Sequence, residues 1–201
     1  LSLVPNDRVQ RQFRRVAETV LREFPADVGG TVLFTGVGSG AHVADIAAQV
    51  AIRLVQQPDT VVTLIDADGA AQHLTERLAC RGQAGLAELL QAEATVASTI
   101  LATDVDNLHF IAFGDRRLTR NPIASGAVNP VLSKLRQDCR YIVLAAGIET
   151  TPLQAMLGRC SDGTYLVVQL GAAPREDTTA LASFLSRAGA RLLGSIATSA
   201  S

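Results

Sequence analysis

Hydrophobic and polar positions along the chain follow two alternating rhythms. Short runs that are almost wholly apolar, at residues 31–35, 60–65, 108–113, 141–145, 164–170 and 191–196, have the length of buried strands. Between them apolar residues recur every three or four positions, as amphipathic helices require. The first such stretch, residues 6–24, places Val9, Phe13, Val16, Val20 and Leu21 at helical spacing. Asn6 or Asp7 can cap it and Pro25 stops it. Further helices are expected at 41–56, closed by Pro58, and at 74–80, 86–90, 131–137 and 176–188. Another runs to Leu157 from Thr151-Pro152, because proline suits the first helical turn. Residues 114–128 read as loop with a short helical turn.

Apolar strands alternating with helices predict one α/β domain over residues 1–201: a doubly wound, mostly parallel sheet with helices on both faces. Ligands of such sheets sit beyond the carboxyl ends of the strands. That directs attention to residues 36–40, 66–68, Gly114 and 145–149.

Composition narrows the function. A chain that is 48% hydrophobic can bury a core, and 18 basic residues against 19 acidic ones argue against a nucleic-acid partner. No run reaches the ~18 apolar residues of a membrane helix. The start at Leu1, without Met, reads as the cut end of a fragment. Cys80, Cys139 and Cys160 are widely spaced, with no CxxC pair and no histidine at ligand spacing. Neither a metal centre nor a disulfide is expected, a cytoplasmic setting is, and all three read as small buried hydrophobes. Lys134 is the only lysine. A mechanism that needs a catalytic lysine must use it or be ruled out.

Gly36-Val37-Gly38-Ser39-Gly40, between a strand and a helix, has the form of an anion cradle, in which free N–H groups at the helix start face the loop. Gly38, Ser39, Gly40, Ala41 and His42 would line it. One chemistry that uses such a turn is dinucleotide binding, with Gly36, Gly38 and Ala41 in the GxGxxG/A pattern and Asp66 on the ribose. It lacks a YxxxK pair here. The other is a P-loop, which adds a lysine on the phosphates and a hydroxyl on Mg²⁺.

The whole chain resembles the bacterial tyrosine kinase domains of capsule and exopolysaccharide synthesis, relatives of the MinD/ParA group of P-loop ATPases. Residues 34–51 lie without a gap on that family's strand, P-loop and helix. Leu64-Ile65-Asp66-Ala67-Asp68 resembles its second acidic motif, and Gly85-Leu86-Ala87-Glu88-Leu89-Leu90 a family helix start. Leu108-His109-Phe110-Ile111, Asn121-Pro122, Tyr141-Ile142-Val143-Leu144 and Gly189-Ala190-Arg191-Leu192-Leu193-Gly194 come after these in order. The resemblance implies a P-loop NTPase-like fold and, in an intact member, ATP-dependent autophosphorylation, for which Tyr141 and Tyr165 would be the acceptors here.

On the same register the P-loop lysine falls on Val43, the glycine before it on His42 and the Mg²⁺-binding hydroxyl on Ala44. The Walker B aspartate falls on Ala145, and the arginine after the second acidic motif on Ala70. Of the catalytic set only Asp66 and Asp68 survive. Phosphoryl transfer is mostly positioning and charge neutralisation. Single charge-stabilising groups are worth roughly 10²–10³ in rate, so losing three together removes catalysis by that route.

The expectation is a degenerate kinase-like domain with no competent catalytic residue, no cofactor, ATP and Mg²⁺ bound weakly at best, and a metal at Asp66 and Asp68 only if Mg²⁺ binds. Its partners would be proteins of the polysaccharide export machinery at the inner face of the membrane, within a larger protein. Self-association would run through residues 1–28, where only Arg14 of the family's ExxRxxR pattern is present, Arg11 and Ala17 holding the other places. Purely structural roles are open to the same residues. Asp66 and Asp68 can cap the following helix, His42 can be a first-turn polar residue, and His73 and His109 have no partners in the sequence. Arg116, Arg117 and Arg120 read as a solvated loop, and the segment Glu149-Thr150-Thr151 as a helix cap.

Overall fold

The structure is a computed structural model that describes residues 7–117, 123–172 and 174–199. Asn6, Arg120, Asn121 and Pro122 lie outside the described residues.

Helix α1 (Asp7–Glu23) leads into strand β1 (Gly30–Val37) and the long helix α2 (Gly40–Leu54). Strand β2 (Val62–Asp66) is followed by three short helices, α3 (His73–Arg77), α4 (Leu86–Leu90) and α5 (Val96–Thr99), then by β3 (Leu101–Ala102) and β4 (Leu108–Ile111). The second half alternates strictly: α6 (Val128–Leu135), β5 (Tyr141–Ala145), α7 (Pro152–Cys160), β6 (Gly163–Leu170), α8 (Arg175–Arg187) and β7 (Leu192–Ser199). All seven strands form one sheet in the order β3-β4-β2-β5-β1-β6-β7, parallel except for β3 on β4. This is the doubly wound sheet that the alternation predicts. The additions are β3 and α5, too short to carry a periodicity.

The central strands β1, β2 and β5 are almost wholly apolar because each serves two cores. Val32 and Phe34 of β1, Leu64 of β2 and Tyr141, Val143 and Ala145 of β5 face α1, α2 and α3. Their neighbours Leu33, Ile65, Ile142 and Leu144 face α4, α6 and α7 on the other side. Period-2 side-chain direction turns one apolar run into two interfaces. A smaller cluster, Leu166 with Leu181 and Leu185, seats α8.

α2 is buried on most of its surface, with Ile46, Ala47, Val50, Ala51 and Leu54 fully enclosed between the sheet and α1. α1 spends Val16, Ala17, Val20 and Leu21 on that contact and turns Arg14 and Glu18 to solvent, where they pair at i,i+4. No described helix is long and apolar enough to cross a membrane. Of the cysteines, Cys80 is fully buried, whereas Cys139 and Cys160 are only half-buried, a correction to the reading of all three as core residues. Burial pushes the Cys80 and Cys139 thiols up.

Candidate functional site

β1 is flanked by β5 and β6, so the chain leaves its carboxyl end at the switch point of the sheet. Gly36 is there for space: a Cβ would collide with the Val167 carbonyl of β6. Gly38 has φ +101°, a conformation that glycine adopts without strain. Ser39 is the extended N-cap of α2 but makes no side-chain cap hydrogen bond, so the first N–H groups of that helix receive no help from it. The backbone here is therefore a loop-to-helix turn.

Beyond the turn, the face that α2 packs against the sheet is apolar. Val43, on the lysine register, is 1% exposed and belongs to the core cluster under the sheet; Ala44, on the hydroxyl register, is buried beside it. Ala145 pairs with Phe34 on one side and Asp66 on the other and is buried in the same cluster. His42 turns sideways: its Nδ1 lies 3.0 Å from Thr198 Oγ1 on β7, a contact across 156 residues.

The two acids are occupied by backbone. Asp66 ends β2, is 1% exposed, and accepts the N–H of Thr75 at 2.8 Å on one oxygen and that of Asp68 at 3.0 Å on the other. Thr75 lies in the first turn of α3, so Asp66 caps that helix from a distance. Burial pushes its carboxyl up to about 6, outweighing the hydrogen bonds that favour the anion. The Thr75 hydroxyl accepts the N–H of Phe113, which ties α3, and through Asp66 the end of β2, to the segment after β4. Asp68 Oδ1 accepts the N–H groups of Ala70 and Ala71, and its Oδ2 is 4.0 Å from His73 Nε2. Among the described residues, no three His, Cys, Asp or Glu side chains gather as a metal site.

Asp68 also reaches the other face of the sheet. A cavity of about 550 Å³ opens there, lined by Asp68, Phe113, Gly147, Glu149, Thr151 and Gln154 among others. Gln154 is 2% exposed; its Nε2 donates to Thr35 Oγ1 and to the Gly147 carbonyl, and its Oε1 has no partner among the described residues. Neither Gln154 nor Thr35 carries a signal in the sequence, because their link depends on how α7 lies against β1. The cap of α7 is Thr151, whose hydroxyl accepts the N–H of Gln154 at 3.2 Å; Glu149 lines the cavity instead.

The remaining candidates serve other ends. Arg116 bonds the Ala71 carbonyl and Glu76, and Arg117 clasps Asp115, so these two are engaged with their own loop and its neighbours. Tyr141 is fully buried and donates to the Phe24 carbonyl at 2.7 Å; Tyr165 is stacked on Phe34. Glu88 joins α4 to the end of β4, accepting the N–H groups of Gly85 and Asp115.

A parallel sheet of this order, with a glycine turn after its central strand and helices on both faces, defines the P-loop NTPase-like class of α/β domains. Within that class the fold is shared with bacterial tyrosine kinase domains. The kinase domain of VpsO superimposes with a TM-score of 0.79 at 18% identity, covering 96% of this chain and 95% of that one. The kinase domain of the Escherichia coli tyrosine kinase ETK gives 0.81 at 16%, covering 94% and 75%. The BceF tyrosine kinase domain gives 0.76 at 22%, covering 94% and 76%. A plasmid partition protein from Borrelia burgdorferi shares the same architecture, with a TM-score of 0.67 at 17% identity over 84% and 78%. No family profile and no curated protein matches the sequence.

Proposed function

We propose that this chain is a catalytically degenerate relative of the bacterial tyrosine kinase domains, a pseudokinase that works as an assembly or regulatory module in capsule or exopolysaccharide biosynthesis. The observation that carries the reading is the apolar packing of Val43, Ala44 and Ala145, the three places where a P-loop ATPase keeps its lysine, its Mg²⁺-binding hydroxyl and its Walker B acid. With Val43 in the lysine's place, the phosphates have no ammonium to neutralise them. The Asp66 oxygens accept backbone N–H groups, which leaves them poorly placed to hold Mg²⁺ or a ribose. These residues do not fit Mg·ATP. What remains is a loop-to-helix turn able to hold an anion weakly through backbone N–H groups.

In this reading the domain acts through protein partners at the inner face of the membrane. The polar face of α1, with Arg14 and Glu18 exposed, is open to such a partner. Calorimetry with ATP and ADP, with and without Mg²⁺, tests the core of the proposal. Absence of tight binding and of turnover is expected, and micromolar Mg·ATP affinity with turnover overturns it.

A further inference from the structure

The two edges of the sheet are finished differently. At one edge β3 is two residues long and antiparallel, a blunt end that offers little for another strand to pair with. At the other, β7 runs for eight residues, Leu192–Ser199, paired on its inner side with β6 and on its outer side with nothing among the described residues. Folded proteins protect such an edge with charge, proline or brevity. β7 has none of these: Leu-Leu-Gly-Ser-Ile-Ala-Thr-Ser carries no charged residue and no proline, and its one irregularity, a register shift at Leu193, leaves Gly194 to Ser199 in regular pairing with β6. Gly194, Ser195 and Ala197 are exposed along it, small enough to let another strand approach.

We propose that β7 pairs antiparallel with β7 of a second copy of this chain, joining the two sheets into one across a two-fold axis. Charge complementarity selects this occupant. α8 connects parallel strands β6 and β7, so it runs opposite to them, with its first turn at their carboxyl ends. That turn holds Glu176 and Asp177 against the single Arg175, and the last turn holds Arg187. All four are exposed, and among the described residues neither the two acids nor Arg187 makes an ion pair. A two-fold that sets β7 against β7 antiparallel brings the acidic end of one α8 level with the basic end of the other, twice. Of the side chains lining the shallow outer surface of α8, Thr178, Thr179, Ala182, Ser183 and Ser186 are short, and the sixth is Arg187, the basic partner in this arrangement. An uncharged strand meeting itself brings no like-charge repulsion, and the same patch serves both copies, as a closed isologous dimer requires. Pairing at this edge does not depend on whether the glycine turn binds nucleotide.

Sedimentation velocity on the 201-residue chain, from roughly 1 μM to roughly 1 mM, tests the dimer. A monomer–dimer equilibrium is expected. The double variant Ser195→Lys with Ala197→Lys, both at exposed positions, should sediment as a monomer with an unchanged Tm. Arg187→Glu should weaken the dimer roughly tenfold, and adding Glu176→Arg and Asp177→Arg should restore it. Amide exchange at β7 in the unaltered chain should slow as concentration rises, a readout that does not depend on any variant folding. A monomer at every concentration, open-ended aggregation, or a dimer indifferent to the two lysines would each overturn the proposal.

Discussion

Asp66 Oδ2 accepts the backbone N–H of Thr75 at 2.8 Å, so an acid from the end of β2 fastens the first turn of α3. The bond is buried, and burial holds the carboxyl at about 6 instead of 3.8. A group whose folded pKa lies above its unfolded value adds stability that is complete below about 3.8 and lost as pH rises through about 6. The full swing is about 3 kcal/mol. Urea unfolding of the native chain and of Asp66→Asn should therefore show a stability difference that moves in favour of the native chain between pH 7.5 and pH 4.5. A difference constant with pH would refute this.

Restoring the missing lysine should not restore an ATPase. Val43→Lys puts an ammonium where Val43 is 1% exposed among Ala44, Ile46 and Ala145. An unpaired buried charge costs about 3–5 kcal/mol. Denaturant unfolding should show a loss of that size, and Mg·ATP hydrolysis should stay at background. A folded, ATP-hydrolysing variant would show that the turn is closer to a working P-loop than its packing suggests.

Gly36→Ala should be severe. The added Cβ meets the Val167 carbonyl, which is backbone of the neighbouring strand and cannot swing aside. A loss of about 3 kcal/mol or more in stability, or failure to fold, is expected. Gly126→Ala is the control: nothing lies within 4 Å of its Cβ, and its stability should stay within about 0.5 kcal/mol.

The contact between His42 and Thr198 ties the start of α2 to the last strand. A double-mutant cycle with His42→Ala and Thr198→Val should return a coupling of about 0.5–1.5 kcal/mol. A coupling indistinguishable from zero would mean that the two side chains do not share a bond in solution.

The fold could be read from the sequence because the central strands are apolar on both sides, and only a sheet sandwiched between helices asks for that. Val32 and Leu33 belong to different cores, yet both had to be apolar. β3 is silent in the sequence because two residues carry no period, and α5 because its four residues make a single turn. The glycine turn and the two acids are visible as residue types at the right spacing. Their partners are not. Thr75 for Asp66, Thr198 for His42 and Thr35 for Gln154 come from elements brought together by the fold, and nothing local to either residue announces them. Pro152 in the first turn of α7 already points to Thr151 as its cap, whereas the place of Glu149 on the cavity wall is set by the fold.

The placement of the aromatic rings has an optical consequence. The chain has no tryptophan and two tyrosines, and both tyrosines are in the core, one bonded to the Phe24 carbonyl and the other stacked on Phe34. Its ultraviolet emission therefore comes from two rings on opposite neighbours of β1, in β5 and β6. Quenching by a small solute in water will be weak while the sheet is closed and strong once it opens. The central strand thus carries its own reporters, and the native surface presents no phenol to a phosphorylating enzyme.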